Sequence, residues 1–349
     1  MIRVATKKIR TLVVDDSIFF REFLALAFRD DALIEIVGVA ADAYDAEEKL
    51  EACKPDVIAL DMEMPGMRGA DFLHKIMPRY PLIKVVVISA NPHNVFEALH
   101  AGAVDFIAKP GSIFGSNQAD FLQEVSSKIQ IAHQSRVPVL AAQKHETTAV
   151  SPLPAVSGRK DAVVAIGAST GGTEAIAGIL HDLPDTMPGI VIVQHMPPVF
   201  TAMFAERLDN ISPLRVREAQ EGDRVEPGVA LLAAGDKQMV LNRDWRGYYI
   251  QYVGSHKVSG HCPSVDVLFG SVAHVAKENA MGVILTGMGA DGADGLLVMR
   301  RAGAYTVGQS RETCVVYGMP MAAHQKGAVA EQLALGAIAG DMVRWASQP

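Results

Sequence analysis

The sequence is poor in cysteine, in long apolar runs and in positive charge, and each shortage removes a class of function. Only three cysteines occur in 349 residues, Cys53, Cys262 and Cys314, and no two of them form a C-x-x-C pair. That argues against a disulfide framework or a cysteine-rich zinc site and fits a chain working in a reducing cytoplasm. The amino terminus carries Arg3, Lys7, Lys8 and Arg10, but the apolar run that follows, Thr11 to Val14, stops at two aspartates, so no signal peptide is expected. Nowhere does an apolar stretch approach the ~20 residues of a spanning helix. Membrane insertion is therefore not expected, and a membrane-anchored target would be met from the aqueous side. Lysine and arginine number 32 against 39 aspartates and glutamates, a net charge of -7. Phosphate backbones are bound by clustered cations, so nucleic acid is not an expected partner.

What remains is the composition of a globular protein, 49% apolar and 20% charged. The length suits two domains, each with its own core. From residue 9 to about 131, short apolar runs (Thr11–Val14, Ile34–Val39, Val57–Leu60, Lys84–Ile88, Val104–Ile107) alternate with amphipathic helical patterns. This alternation implies a doubly wound, five-stranded parallel sheet with its ligand site at the carboxyl ends of the strands. Residues 134–160 break the pattern, with Pro138, Pro152 and Pro154 among small residues, and read as a linker between a first domain (1–133) and a second (161–349). In the second, Ala162–Ile166, Gly189–Val193, Val229–Ala233, Gly282–Leu285 and Ala304–Val307 are strand candidates, and Gly172–Leu183 and Val265–Lys277 are helix candidates. An antiparallel hairpin, Met239–Leu241 with Tyr248–Val253, is inserted among them. A second α/β domain with a mainly parallel sheet is expected, without internal repeats.

In the first domain Asp15 and Asp16 follow the first strand and Asp61 follows the third, so three carboxylates meet at one sheet edge. Crowded carboxylates call for a hard divalent cation, and Mg²⁺ suits an all-oxygen set. Ser89 and Lys109 end the fourth and fifth strands and offer partners for phosphate oxygens. The constellation reads as a site that takes a phosphoryl group onto Asp61. Its residues, Asp15-Asp16, Asp61-Met-Glu-Met-Pro65, Ser89 and Lys109-Pro110, resemble the receiver domain of two-component response regulators. That resemblance implies a phosphoprotein in which a histidine kinase phosphorylates Asp61, Asp15 and Asp16 help hold Mg²⁺, and Phe106 reorients together with Ser89.

In the second domain, Ile166-Gly-Ala-Ser-Thr-Gly-Gly172 lies between a strand and a helix. It admits three readings: an activated Ser169, the nucleophile elbow of α/β hydrolases, or a dinucleotide phosphate loop. A dinucleotide fold would place an acidic residue at the end of the next strand. Here that strand ends in Gln194-His195-Met-Pro, and His195 is the base a serine nucleophile needs. The loop Leu285-Thr-Gly-Met-Gly-Ala-Asp-Gly-Ala-Asp-Gly295 supplies the acid, with Asp291 the first choice and Asp294 the alternative, Asp291 then being a helix cap. The order Ser, His, Asp differs from that of α/β hydrolases, so their fold is not expected. His256, His261 and Cys262 lack a fourth ligand at metal spacing and read as cleft or loop residues, so no metal or other cofactor is expected in this domain. Ser264 reads as the cap of the helix that follows it.

Gly167-Ala-Ser-Thr-Gly-Gly-Thr-Glu174, Gln194-His-Met-Pro197, Pro263-Ser-Val-Asp-Val-Leu-Phe269 and Leu285-Thr-Gly-Met-Gly289 resemble the CheB family of chemotaxis receptor methylesterases. With the receiver in front, the resemblance spans nearly the whole chain. It implies a hydrolase that removes methyl groups from glutamate methyl esters on the cytoplasmic helices of chemoreceptors and deamidates receptor glutamines. A kinase of the CheA type would be the phosphoryl donor. Thr170 and Met288 are the oxyanion candidates, Met288 through the family, and a monomer is expected. The same likeness implies that the unphosphorylated receiver inhibits the catalytic domain. The competing classes are a non-catalytic output module built on the glycine-rich turn and a DNA-binding response regulator; the acidic balance and the large output region disfavour the latter.

Overall fold

The computed structural model describes residues 7–111, 118–136, 153–159 and 161–348. The chain divides into two compact units, residues 1–146 and 147–349. No helix among the described residues is long and apolar enough to cross a membrane.

The first unit runs β1 (Ile9–Val14), α1 (Ile18–Ala27), β2 (Ile34–Ala40), α2 (Ala43–Cys53), β3 (Val57–Asp61), α3 (Gly69–Ile76), β4 (Lys84–Ser89), α4 (Pro92–His100), β5 (Asp105–Ala108) and α5 (Gln118–Gln134). Its five strands are all parallel in the order β2-β1-β3-β4-β5. β3 is buried along its whole length and β4 along all but its first residue, the pattern of strands covered on both faces. The strand order reverses between β1 and β3, so the crevice at their carboxyl ends is where such a sheet binds ligands.

The second unit continues with β6 (Val163–Ala168), α6 (Gly172–Asp182), β7 (Gly189–Gln194), α7 (Phe200–Ile211), β8 (Arg215–Glu218), β9 (Val229–Leu232), β10 (Met239–Asp244) and β11 (Gly247–Tyr252). It closes with α8 (Val265–Val275), β12 (Ala280–Ile284), α9 (Ala293–Arg301), β13 (Tyr305–Gln309), α10 (Met319–Gln325), β14 (Glu331–Leu333) and α11 (Leu335–Ala346). Seven parallel strands lie in the order β14-β13-β12-β6-β7-β9-β8, and β10 and β11 pair antiparallel as a sheet of their own. Chain order reverses between β6 and β12, which again puts a crevice at the strand ends, between the loops after β6 and β12.

Two strands escaped the sequence reading. β8 and β14 sit at opposite edges of the sheet, are three or four residues long and carry charged or polar residues, so they have no apolar run to find. The expected linker falls largely outside the described residues. Its described part, residues 153–159, lies against the second unit: Val156 N–H donates to Thr186 Oγ1 at 2.8 Å, and Arg159 N–H to the Ala346 carbonyl at 3.1 Å.

The core between α8, α9 and the sheet contains Phe269, Leu268, Val272, Leu296 and Met299, all essentially without solvent exposure. Removing a buried aromatic ring costs about 3–5 kcal/mol through lost transfer energy and a residual cavity. Phe269→Ala is therefore expected to lower the unfolding free energy of the second unit by that amount and leave the transition of the first unit in place. Urea denaturation followed by probes in each unit checks it.

Candidate functional site

In the first unit, β1 and β3 deliver Asp15 and Asp61 to the same edge, both almost wholly buried. Lys109, just beyond β5, reaches across to both, with Nζ 2.6 Å from Asp15 Oδ2 and 2.7 Å from Asp61 Oδ2, while it lies 4.6 Å above the Phe20 ring. Burial pushes the Asp15 carboxyl up to about 6, against the pull of the Lys109 ammonium. Burial works against the Lys109 charge as well, but the two carboxylates outweigh it and hold its pKa above the ordinary lysine value. Asp16 is exposed, and oxygens of Asp15, Asp16 and Asp61 come within 4.8 Å of one another. An all-carboxylate donor set this close, with one member driven toward its neutral form, fits a hard divalent cation such as Mg²⁺. Ser89 is fully buried, and its hydroxyl exchanges hydrogen bonds with Asn91, donating to the carbonyl and accepting from the N–H, both at 3.1 Å. Phe106 is buried in β5, with the Lys128 ammonium 5.1 Å from its ring centroid. Ser17, next to the acidic pair, caps α1 by accepting from Phe20 N–H.

In the second unit, Ala168 at the end of β6 pairs in register with Gln194 at the end of β7, so Ser169 and His195 are the next residues on adjacent strands. The Ser169 N–H donates to the Thr286 carbonyl at 3.0 Å, and the Ser169 carbonyl accepts from Gly172 N–H at 2.7 Å and from Gln194 Nε2 at 3.0 Å. Gly171, at φ +77°, turns the chain into α6. Gly287 on the facing loop has room for no side chain: a Cβ there would stand 2.7 Å from Ser169 Cβ. The loop carrying Met288 is thereby pressed against Ser169. Thr170 is buried and its carbonyl accepts from Thr286 Oγ1 at 3.0 Å.

His195 Nε2 is 2.8 Å from Asp291 Oδ2, and Nδ1, on the other side of the ring, is buried without a hydrogen-bond partner among the described residues. Asp291 is 2% exposed. It also accepts from Ser264 Oγ at 2.7 Å, from Val265 N–H at 2.7 Å and from Asp266 N–H at 3.1 Å. Burial alone would raise its pKa, but the hydrogen bond and charge of His195 and the donors of Ser264 and Val265 prevail and hold it down at about 2. Asp294, the alternative acid, is exposed on α9 and pairs with Lys326. Ser264 does not cap its own helix: Asp291 accepts from the first N–H groups of α8, and Ser264 spends its hydroxyl on that carboxylate. A cap supplied from another loop leaves no local pattern to read.

A family model described as CheB methylesterase matches residues 164–342, and one described as response regulator receiver domain matches residues 11–114. A protein-glutamate methylesterase/protein-glutamine glutaminase of Syntrophomonas wolfei is 46% identical over 332 residues, 95% of this chain and 96% of that protein. The chain belongs to the CheB methylesterase family. Another CheB-type relative, from Caulobacter vibrioides and bearing the same name, is 45% identical over 97% of this chain and 98% of its own length. The crystal structure of the Thermotoga maritima CheB methylesterase catalytic domain aligns with a TM-score of 0.52 and 37% identity, covering 54% of this chain and 99% of that one.

Three features of this CheB-family site were not read as such from sequence. His261 lies flat on His195, Gln194 braces the Ser169 turn, and Ser264 holds Asp291. Only Gln194 carried a usable signal, as a polar residue closing a wholly buried strand. His195, His261 and Asp291 bring ligand atoms within 4.8 Å of one another. Within this group His195 and Asp291 are in direct contact at 2.8 Å, and the two imidazole rings lie parallel.

Ser264→Ala is expected to cost about 1–3 kcal/mol at neutral pH by leaving a buried carboxylate oxygen short of a donor. Asp291 has a depressed folded-state pKa, so its stabilisation is fully present above the unfolded value of about 4 and is lost as the pH falls through about 2. The stability gap between wild type and Ser264→Ala should therefore narrow across that acid window, as measured by urea midpoints at successive pH values.

Proposed function

We propose that this chain is a protein-glutamate methylesterase and protein-glutamine glutaminase acting on the cytoplasmic helices of chemoreceptors, with Ser169 as nucleophile and phosphorylation of Asp61 as its control. The observation that carries the reading is the two-sided state of His195: one ring nitrogen is held by a buried carboxylate, and the other is buried with no hydrogen-bond partner among the described residues. A buried nitrogen of this kind is costly unless it meets a polar group in the working state. The Ser169 hydroxyl, on the adjacent strand end, has the right chemistry. The names of the two relatives above support the substrate class.

In the reaction, Ser169 Oγ attacks the side-chain carbonyl carbon of the glutamyl ester while its proton passes to His195 Nδ1. Asp291, kept ionised by its donors, holds the ring and balances the imidazolium charge. The backbone N–H groups of Thr170 and Met288 receive the oxyanion; that of Met288 donates to no described residue, and its neighbour Gly287 packs on Ser169. Collapse of the tetrahedral intermediate returns the proton to the leaving group, releasing methanol from an ester or ammonia from an amide. Water then cleaves the acyl-enzyme by the same steps in reverse roles.

Control is assigned to the receiver. Asp61 accepts a phosphoryl group from a histidine kinase of the CheA type, and Asp15, Asp16 and Asp61 would hold Mg²⁺, which supplies positive charge for the phosphoryl oxygens when bound. Lys109 offsets part of the pocket's negative charge, Ser89 and Phe106 respond to the phosphoryl group, and the unphosphorylated receiver restrains the catalytic unit.

Methanol release from methylated receptor fragments tests both halves. Ser169→Ala and His195→Gln should each lower the rate at least ~10³-fold, as losses from a cooperating triad do. Asp61→Asn should keep basal hydrolysis and lose its response to a small-molecule phosphoryl donor, whereas deletion of residues 1–134 should raise the basal rate. Equal rates for wild type, Ser169→Ala and His195→Gln would sink the mechanism.

A further inference from the structure

His261 stands outside the proposed triad, yet its ring covers His195. The two imidazoles are stacked with centroids 3.7 Å apart and planes 6° from parallel. The placement is built by the backbone. Val258 and His261 exchange N–H to carbonyl bonds, both 2.9 Å, across Ser259 (φ +52°) and Gly260 (φ +85°), a two-residue hairpin loop whose central positions both lie in the left-handed region. Buried Gln238 fastens this loop from beneath: its Nε2 donates to the carbonyls of His256 (2.9 Å) and His261 (3.0 Å), and its Oε1 accepts from Ser264 N–H at 2.9 Å. Ser259 Oγ donates to Asp266 Oδ2 at 3.0 Å, which ties the turn to α8.

The protonation state of the His261 ring follows from its contacts. Nδ1 lies 2.9 Å from the Ser259 carbonyl and must therefore carry the proton. Burial pushes its pKa down to about 4; the nearby His195 and Lys257 act in the same direction, against the Asp291 carboxylate and the Ser259 carbonyl. At working pH His261 is a neutral, flat ring that cannot compete as a second base beside His195.

We propose that His261 is a positioning residue for the esterase reaction, a neutral imidazole that keeps the His195 ring aligned between Asp291 and Ser169, shields one face of it from water, and offers its π face to the imidazolium formed in the transition state. This rests on the assignment of His195 as the base. The ring face, rather than the His261 nitrogens, does the work. A flat apolar ring should therefore substitute for it, and a methyl group should not.

The test uses the full chain with a phosphoryl donor and methylated receptor fragment, comparing wild type, His261→Ala, His261→Phe and His195→Gln. His261→Ala should lower kcat about 10- to 100-fold, the scale of a misaligned catalytic group, with KM within about threefold. His261→Phe should return kcat to within about threefold of wild type. In NMR spectra the His195 ring protons should lose the upfield ring-current shift in His261→Ala and keep it in His261→Phe. A His261→Ala enzyme within twofold of wild type overturns the proposal, as does a His261→Phe enzyme as impaired as His261→Ala. A fully active His195→Gln would overturn the base assignment instead, leaving the NMR comparison as the measure of the stack.

Discussion

The catalytic half of the molecule turns on one buried carboxylate. Asp291 collects four hydrogen bonds, from His195, Ser264 and the first two N–H groups of α8, in a place where water cannot reach it. An ionised group in such a position is tolerable only when its lone pairs are met, and a helix amino terminus adds a favourable dipole. The same contacts join three parts of the fold, because Asp291 sits on the loop after β12, His195 ends β7, and Ser264 leads into α8. Asp266, on the first turn of α8, accepts in return from Gly295 N–H of α9. The two helix starts are thus tied to each other, and the site inherits that rigidity.

The receiver pocket meets the problem of crowded carboxylates differently. Asp15 and Asp61 are buried beside one another and share a single ammonium, Lys109, that reaches both from beyond the end of β5. One cation stands between two anions, and burial, with a smaller push from the Asp61 charge, raises the pKa of Asp15 in spite of it. That is a poised arrangement for a divalent cation and an incoming phosphoryl group. In the catalytic unit four donors instead meet the Asp291 carboxylate, which keeps it anionic and fit to hold an imidazole. Two acidic sites at the ends of parallel sheets thus do opposite things, according to the donors around them.

Much of this could be read along the chain because parallel strands buried on both faces write themselves as unbroken apolar runs, and the residue after such a run lies at the ligand-binding edge. Asp15, Asp61, Ser169 and His195 were found that way. Ser264 illustrates the limit. A serine before an apolar helical pattern is ordinarily its cap, but here the capping acceptor comes from 27 residues further on, and no local pattern encodes that. The edge strands β8 and β14 were missed for a related reason, since strands with solvent along one side need not be apolar.

By itself the order of residues determined the two α/β units and the residue types at each strand end, because burial and periodicity are local properties of the chain. Only the tertiary structure decided how those residues meet. It put Asp291 rather than Asp294 against His195, turned Ser264 from a cap into a donor and laid His261 on His195. Each of these depends on the distance between loops remote in sequence, which hydrogen-bond geometry and close packing set only once the chain has folded.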